Sequence, residues 1–204
     1  MPRAVLSTED VECFREELCA AATRRFAQAG YAGVTLRGLA DELGVSPMTP
    51  YRYFRDKDEI LAAVRAAGFR RFADAQERAF AAADEPRARL HGLGLAYAEF
   101  ARREPASYRI MFEMNRPGDA GNAELARERG RAWAPLYRAV AAATGAGLLR
   151  GDAETVAHLF WAALHGLVLL ELAGSLRTGQ SLGRLLEPML DTLFRGRASQ
   201  KETS

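Results

Sequence analysis

Apolar residues recur three and four positions apart along almost the whole chain, and alternation over strand lengths is absent, which restricts the sequence to an all-α fold. Val11, Phe14, Leu18, Ala22 and Phe26 share one helical face, Ser7 with Asp10 reads as a capping box in front of it, and Gly30 stands where the helix would stop. A second short helix starts at Thr35 and turns Leu36, Leu39, Ala40 and Leu43 inward; the turn Gly44 to Ser46 follows. Asp56 with Glu59 caps a longer helix whose inward positions are Ile60, Val64, Gly68 and Phe72, ending near Ala83 before Asp84, Glu85 and Pro86. Further helices are expected over 87–102, 105–112, 123–143, 153–173 and 182–194, interrupted by glycine-rich loops at 116–122 and 144–152. The total is about nine helices, three or four in a compact front unit and the rest in a larger rear one.

Between the second helix and the Asp56 cap lies the stretch SPMTPYRYFRDK, Ser46 to Lys57. Proline fixes φ and lacks an N–H, so it is tolerated only in a helix's first turn. Ser46-Pro47 and Thr49-Pro50 both read as a capping residue followed by proline at the first helical position, and a residue before proline is driven away from helical geometry. The expectation is a short helix over about 47–54, entered late or through a distorted first turn. Two short helices around a glycine-led turn make a helix-turn-helix, whose second helix enters the major groove of DNA. Thr35, Arg37, Thr49, Tyr51, Arg52, Tyr53, Arg55 and Lys57 gather hydroxyls and cations there, the groups that bind phosphate oxygens and base edges. Lys57 is one of two lysines in a chain that otherwise uses arginine, the other being Lys201. It opposes the dipole of the helix it begins unless an anion sits at that end.

A chain of 204 residues, 49% of them hydrophobic, buries a real core, and its formal charge of +2 leaves any polyanion site to local clustering. Cys13 and Cys19 lie too far apart around a helix to bridge within it, so reduced thiols are expected. The N-terminus turns acidic and amphipathic where a signal peptide would turn apolar, which suits a cytoplasmic protein. The run Val156 to Leu176 is long and apolar enough to span a bilayer, yet it carries His158, His165 and Glu171 and lacks flanking basic and aromatic belts. A buried helix or a subunit interface accounts for it without a membrane. No serine elbow, phosphate-cradling glycine loop, metal-ligand pair or cofactor motif is present, so neither catalysis nor a cofactor nor a metal is expected.

The stretch GYAGVTLRGLADELGVSPMTPYRYFRDKDEILAAV, Gly30 to Val64, resembles the DNA-binding domain of the TetR family of bacterial transcriptional regulators. The segments PASYRIMF, from Pro105, and FWAALHGLVLLELAG, from Phe160, resemble a TetR-family ligand-binding domain of the WHG type. The resemblance implies a homodimer joined through the last two helices, a double-stranded DNA operator as partner, and a small-molecule effector. Carried onto this sequence, it makes residues 1–56 the DNA-binding domain, 57–83 a connecting helix, 84–196 the effector and dimerisation domain, and 197–204 a polar tail. Thr35 and Arg37 approach the DNA backbone, Ser46, Met48, Thr49, Tyr51 and Arg52 belong to the groove-facing element, and Tyr53 and Lys57 grip phosphates. Family members usually carry leucine where Pro50 stands; proline keeps an apolar plug there but removes an amide. In the rear part, Tyr97, Phe100, Tyr108, Met111, Phe112, Trp133, Tyr137, Trp161 and His165 are of the types that line adaptable apolar pockets, though they would equally build an ordinary core. The function implied is that of a ligand-responsive repressor; an enzyme or a nonspecific DNA-coating protein is the alternative.

Overall fold

A computed structural model gives the fold and describes residues 8–114, 119, 121–177 and 179–198. Among them it holds eight α-helices, a 3-10 turn at Pro50–Arg52 and no strand. The helices are α1 (Thr8–Ala29), α2 (Leu36–Glu42), α3 (Lys57–Ala81), α4 (Pro86–Arg103), α5 (Pro105–Glu113), α6 (Ala123–Gly145), α7 (Ala153–Leu172) and α8 (Leu182–Arg197). The ninth expected element, the helix over 47–54, is instead a 3-10 turn at Pro50–Arg52. Ser7 and the Asp10 side chain, much of the loop at 116–122 and most of the tail at 197–204 lie outside the described residues.

Helix ends sit where short polar side chains and glycines put them. Thr35, Asp152 and Ser181 accept hydrogen bonds from amides in the first turns of α2, α7 and α8. The first turn of α3 is closed by Asp56, which accepts from the amide of Glu59, while the Glu59 carboxylate accepts from the amide of Arg55. After α2 the chain turns at Gly44, whose φ of +66° only glycine adopts without strain. There the Val45 amide reaches back to the Ala40 carbonyl at 3.0 Å.

Two compact units divide the chain. One comprises residues up to Phe69 together with Ala106–Glu128, and the other Arg70–Pro105 with the residues from Arg129 onward. The core of the first is built from Leu18, Ala22 and Phe26 of α1, Leu36 and Leu39 of α2, Phe54 behind the 3-10 turn, Ile60, Leu61 and Val64 of α3, and Ile110 of α5. Val11, expected on the inward face of α1, is exposed about two turns before that core begins. Within the same unit the Arg65 side chain is fully buried; it donates to the Met111 carbonyl at 2.9 and 3.3 Å and pairs with the Asp119 carboxylate.

In the second unit α8 packs on α4 and α7, and α4 on α7. Leu190 of α8 seats against Gly94 of α4, where a Cβ would stand 2.7 Å from its Cδ1. Phe72 meets Tyr97 and Phe100 edge-on, with centroids 5.1 Å away in each case. Of the apolar run in α7, Val156, Ala157, Phe160, Leu164, Leu167 and Val168 are buried in this packing.

Candidate DNA interface and effector site

The proline-marked segment departs from an α-helix because its prolines stand three apart. An α-helix through residue 50 needs a bond from that amide to the Ser46 carbonyl, but Pro50 has no N–H and its ring would meet that carbonyl. The chain closes i to i+3 bonds instead: Thr49 N to Ser46 O at 2.8 Å, Arg52 N to Thr49 O at 3.1 Å and Tyr53 N to Pro50 O at 3.0 Å. Ser46 caps the turn through its Oγ, which accepts from the Met48 amide at 3.4 Å. Thr49 does not cap; its φ of −62° and ψ of −47° are helical, contrary to the usual bias before proline, because the bond to Ser46 O already fixes the turn. Pro50 is buried and supplies the apolar plug beneath the element.

Thr35 and Arg37 at the start of α2 and Ser46, Met48, Tyr51 and Arg52 of this segment are exposed, while Thr49, Tyr53 and Lys57 are half-buried. Met48 retains 66% of its surface and Tyr51 51%. The Thr35 Oγ1 accepts from Gly38 N at 3.0 Å as a cap and keeps its own proton to donate. Tyr53 leans on Phe14 with ring centroids 5.0 Å apart, and Arg15 covers Phe54 at 4.7 Å. The Lys57 ammonium donates to the Tyr31 carbonyl at 2.9 Å and lies 3.9 Å from the Tyr31 ring centroid. That carbonyl and ring offset the unfavourable end of the helix dipole within the protein, and an ammonium with three donors can also meet a phosphate. Arg24 and Arg25 of α1 pair with Glu42 at 3.0 and 2.5 Å, tying α1 to the end of α2. The hydrogen bond from Arg25, seconded by that from Arg24, holds the Glu42 carboxyl below the ordinary carboxylate range.

The nine residues singled out for an effector fall into both units. Tyr108, Met111 and Phe112 belong to the first, where Tyr108 and Met111 are fully buried and Phe112 packs on Phe69 and Tyr108 at 5.4 and 4.8 Å. Tyr97, Phe100, Trp133, Tyr137, Trp161 and His165 belong to the second. There Trp133 and Trp161 meet at 6.1 Å, Trp161 and His165 at 5.8 Å, and the Tyr97 hydroxyl lies 3.2 Å from His165 Nδ1. A cleft of about 470 Å³ opens along α4 and the ends of α7 and α8, walled by Leu95, Ala98, Val168 and Leu182 with Arg102 and Glu171 at its edge. None of the nine borders it; Phe100 borders a more polar cleft of about 380 Å³ with Arg71, Arg78 and Glu104. Burial pushes the Cys19 thiol up to about 11, so it is a packing group and not a nucleophile.

Burial also holds the His165 imidazole below its ordinary pKa. The unfolded chain then binds a proton that the folded one resists, so the stability from a neutral His165 is present above about pH 6.5 and is lost as pH falls below it. His165→Gln should therefore flatten the fall in Tm between about pH 7.5 and about pH 5.5. The same fall in the variant as in the parent would assign the pH response to other groups.

A helix-turn-helix seated on α1 and α3, followed by a purely helical rear part, defines a class: helical DNA-binding regulators. The profile of bacterial regulatory proteins of the tetR family matches residues 18–64, and that of the tetracyclin repressor-like C-terminal domain matches residues 90–193. Among solved structures, a protein of unknown function from Rhodococcus sp. RHA1 is 31% identical over 98% of this chain and 100% of its own, at a TM-score of 0.80. A TetR family transcription regulator from Marinobacter aquaeolei VT8 is similar at a TM-score of 0.75 and 21% identity, covering 95% of this chain and 100% of its own. The fatty acid degradation regulator FadR from Bacillus halodurans reaches a TM-score of 0.74 at 17% identity over 89% of this chain and 95% of its own, and at such identities the last two likenesses are of fold alone. The chain belongs to the TetR family of transcriptional regulators.

Proposed function

We propose that the protein is a cytoplasmic, ligand-responsive repressor that binds a near-palindromic operator as a homodimer. The observation that carries this reading is the exposed set Thr35 and Arg37 at the start of α2 and Ser46, Met48, Tyr51 and Arg52 on the turn-stabilised segment that follows it. Residues 1–56 form the DNA-binding domain, 57–83 the connecting helix, and 84–196 the effector and dimerisation domain. Two-fold symmetry sets the two elements about 34 to 36 Å apart, one turn of duplex. The effector is taken up among Tyr97, Phe100, Trp133, Tyr137, Trp161 and His165 of the second unit and favours a pose of α3 that spoils this separation, with a coupling of about 1 to 3 kcal/mol. No catalytic step is part of this reading.

Selection of bound sequences from random duplexes by the purified protein tests it. A palindrome with half-sites about one helical turn apart, bound roughly a thousandfold or more above nonspecific DNA, is the expected result. Bound pools without sequence preference would favour a DNA-coating protein, and turnover of a substrate would favour an enzyme. On the selected operator, Tyr53→Phe and Lys57→Ala should each weaken binding with the dimer intact, and Lys57→Ala should reduce the slope of log K against log salt by about one unit. Unchanged affinity and slope in both variants would show that the phosphate contacts lie elsewhere.

A further inference from the structure

We propose that Met48 reads the C5-methyl group of a thymine in the operator major groove, an inference that rests on the DNA-binding function proposed above. Among the described large apolar side chains of the first unit, Val11, Met48 and Tyr51 are exposed, and two of these three stand within four positions on the DNA-facing element. Met48 is the most exposed, at 66%. Leaving a thioether chain in water forgoes the free energy of burying it, so a partner with an apolar surface gains by covering it. In the major groove of unmodified DNA the base edges present hydrogen-bond donors and acceptors, and the thymine methyl is their one apolar group.

The surroundings of Met48 select among the readout modes. From Val45 to Lys57 the chain holds no asparagine or glutamine, the side chains that pair bidentately with adenine. Its exposed polar groups there include Ser46 and Arg52, suited to phosphate, guanine or a single acceptor. Apolar contact is what remains for position 48. The backbone that presents it is held by three constraints: the fixed φ of Pro47 on one side, the 2.8 Å bond from Thr49 N to Ser46 O across it, and the Ser46 Oγ on its own amide. A flexible, polarizable side chain on a fixed backbone can settle on a methyl group at one base step without searching neighbouring ones.

The experiment uses the full chain and the duplex recovered by selection, with each thymine of a half-site replaced singly by deoxyuridine, which removes the methyl and keeps every hydrogen-bonding group. At one thymine per half-site the parent protein should bind about fourfold more weakly, the factor expected for one methyl group taken out of an apolar contact. Met48→Ala should bind the thymine operator more weakly by a similar factor and be indifferent to deoxyuridine at that position, whereas Met48→Leu should keep the response. Tyr51→Ala should also keep it. A half-site without thymine, a parent protein indifferent to every deoxyuridine, or loss of the response in Tyr51→Ala instead of Met48→Ala would each overturn the assignment while leaving sequence-specific DNA binding standing. Failure to select any site would instead remove the DNA-binding reading itself.

Discussion

Replacing Arg65 by alanine should lower the free energy of unfolding by about 3 to 5 kcal/mol, because it removes the fully buried partner of an ion pair and takes its guanidinium donors from the Met111 carbonyl. The guanidinium is fully buried among α3, α5 and the entry to α6. It spans the Met111 carbonyl, at 2.9 and 3.3 Å, and the Asp119 carboxylate, itself only 11% exposed. The Asp119 carbonyl in turn accepts from Asn122 N at 3.2 Å, and the Asn122 side chain caps α6 by accepting from Leu125 N at 2.9 Å. Loss of the arginine thus takes one cation from that carboxylate and loosens the first turn of the following helix together. For a domain whose whole stability is about 5 to 15 kcal/mol, such a loss brings unfolding close to the working temperature. Urea denaturation followed by circular dichroism measures it. Arg65→Met with Asp119→Leu should recover much of the loss, since an apolar pair of similar volume removes both charges along with the bond between them. A single variant within about 0.5 kcal/mol of the parent would show that water reaches the pair and that it does not hold the unit together.

Arg65 also marks where local sequence patterns stop informing. It lies in phase with Leu61 before it and Phe69 and Phe72 after it, a charged residue inside an apolar stripe, and counting apolar residues alone passes over it. Its partners are 46 and 54 positions away, which no helical periodicity encodes. The same limit explains why Tyr108, Met111 and Ile110 pack with the first unit although they follow α4 in the chain: periodicity says which face of α5 is buried, not against what. What was legible was local. Thr35 as a cap, Gly30 as a helix stop, Gly44 at the head of a turn, and the break at Asp84 to Pro86 all act over a few residues, within the reach of one hydrogen bond. The proline pair was legible as a helix start but not as a 3-10 turn, because the decisive fact is that Pro50 must lose its bond to Ser46 while Thr49 keeps one. Lys57 posed the right question, and its answer within the protein, the Tyr31 carbonyl, lies 26 positions back on the chain. At the surface of the DNA element, exposure follows from Pro50 and Phe54 pointing inward, so Met48, Tyr51 and Arg52 are left outward by default.

Placing a glutamate at Ala162 or an arginine at Gly166 should split the proposed homodimer and weaken operator binding by about a hundredfold to ten-thousandfold, the range lost when two linked contacts act singly. Opposite the buried face of α7 run Leu159, Ala162, Gly166, Leu170 and Ala173, spaced three and four apart. Leu159 and Leu170 are 39% and 47% exposed, Ala162 and Ala173 are exposed, and nothing stands within 4 Å of where a Gly166 Cβ would be. Small residues between two leucines let a second helix approach closely, and a stripe of this length left to water is costly. Across a two-fold axis each substitution counts twice, and residues near the axis meet their own copies, so like charges at Ala162 or Gly166 oppose each other directly. The exposure of Ala162 and the open space at Gly166 mean that the single subunit accommodates the new side chain. Circular dichroism should accordingly show a retained helical signal, light scattering should report the mass of one subunit, and the operator titration should lose its dimeric affinity. A particle of twice the subunit mass with parental operator affinity, in both variants, would place the two-fold contact on a surface other than this face of α7.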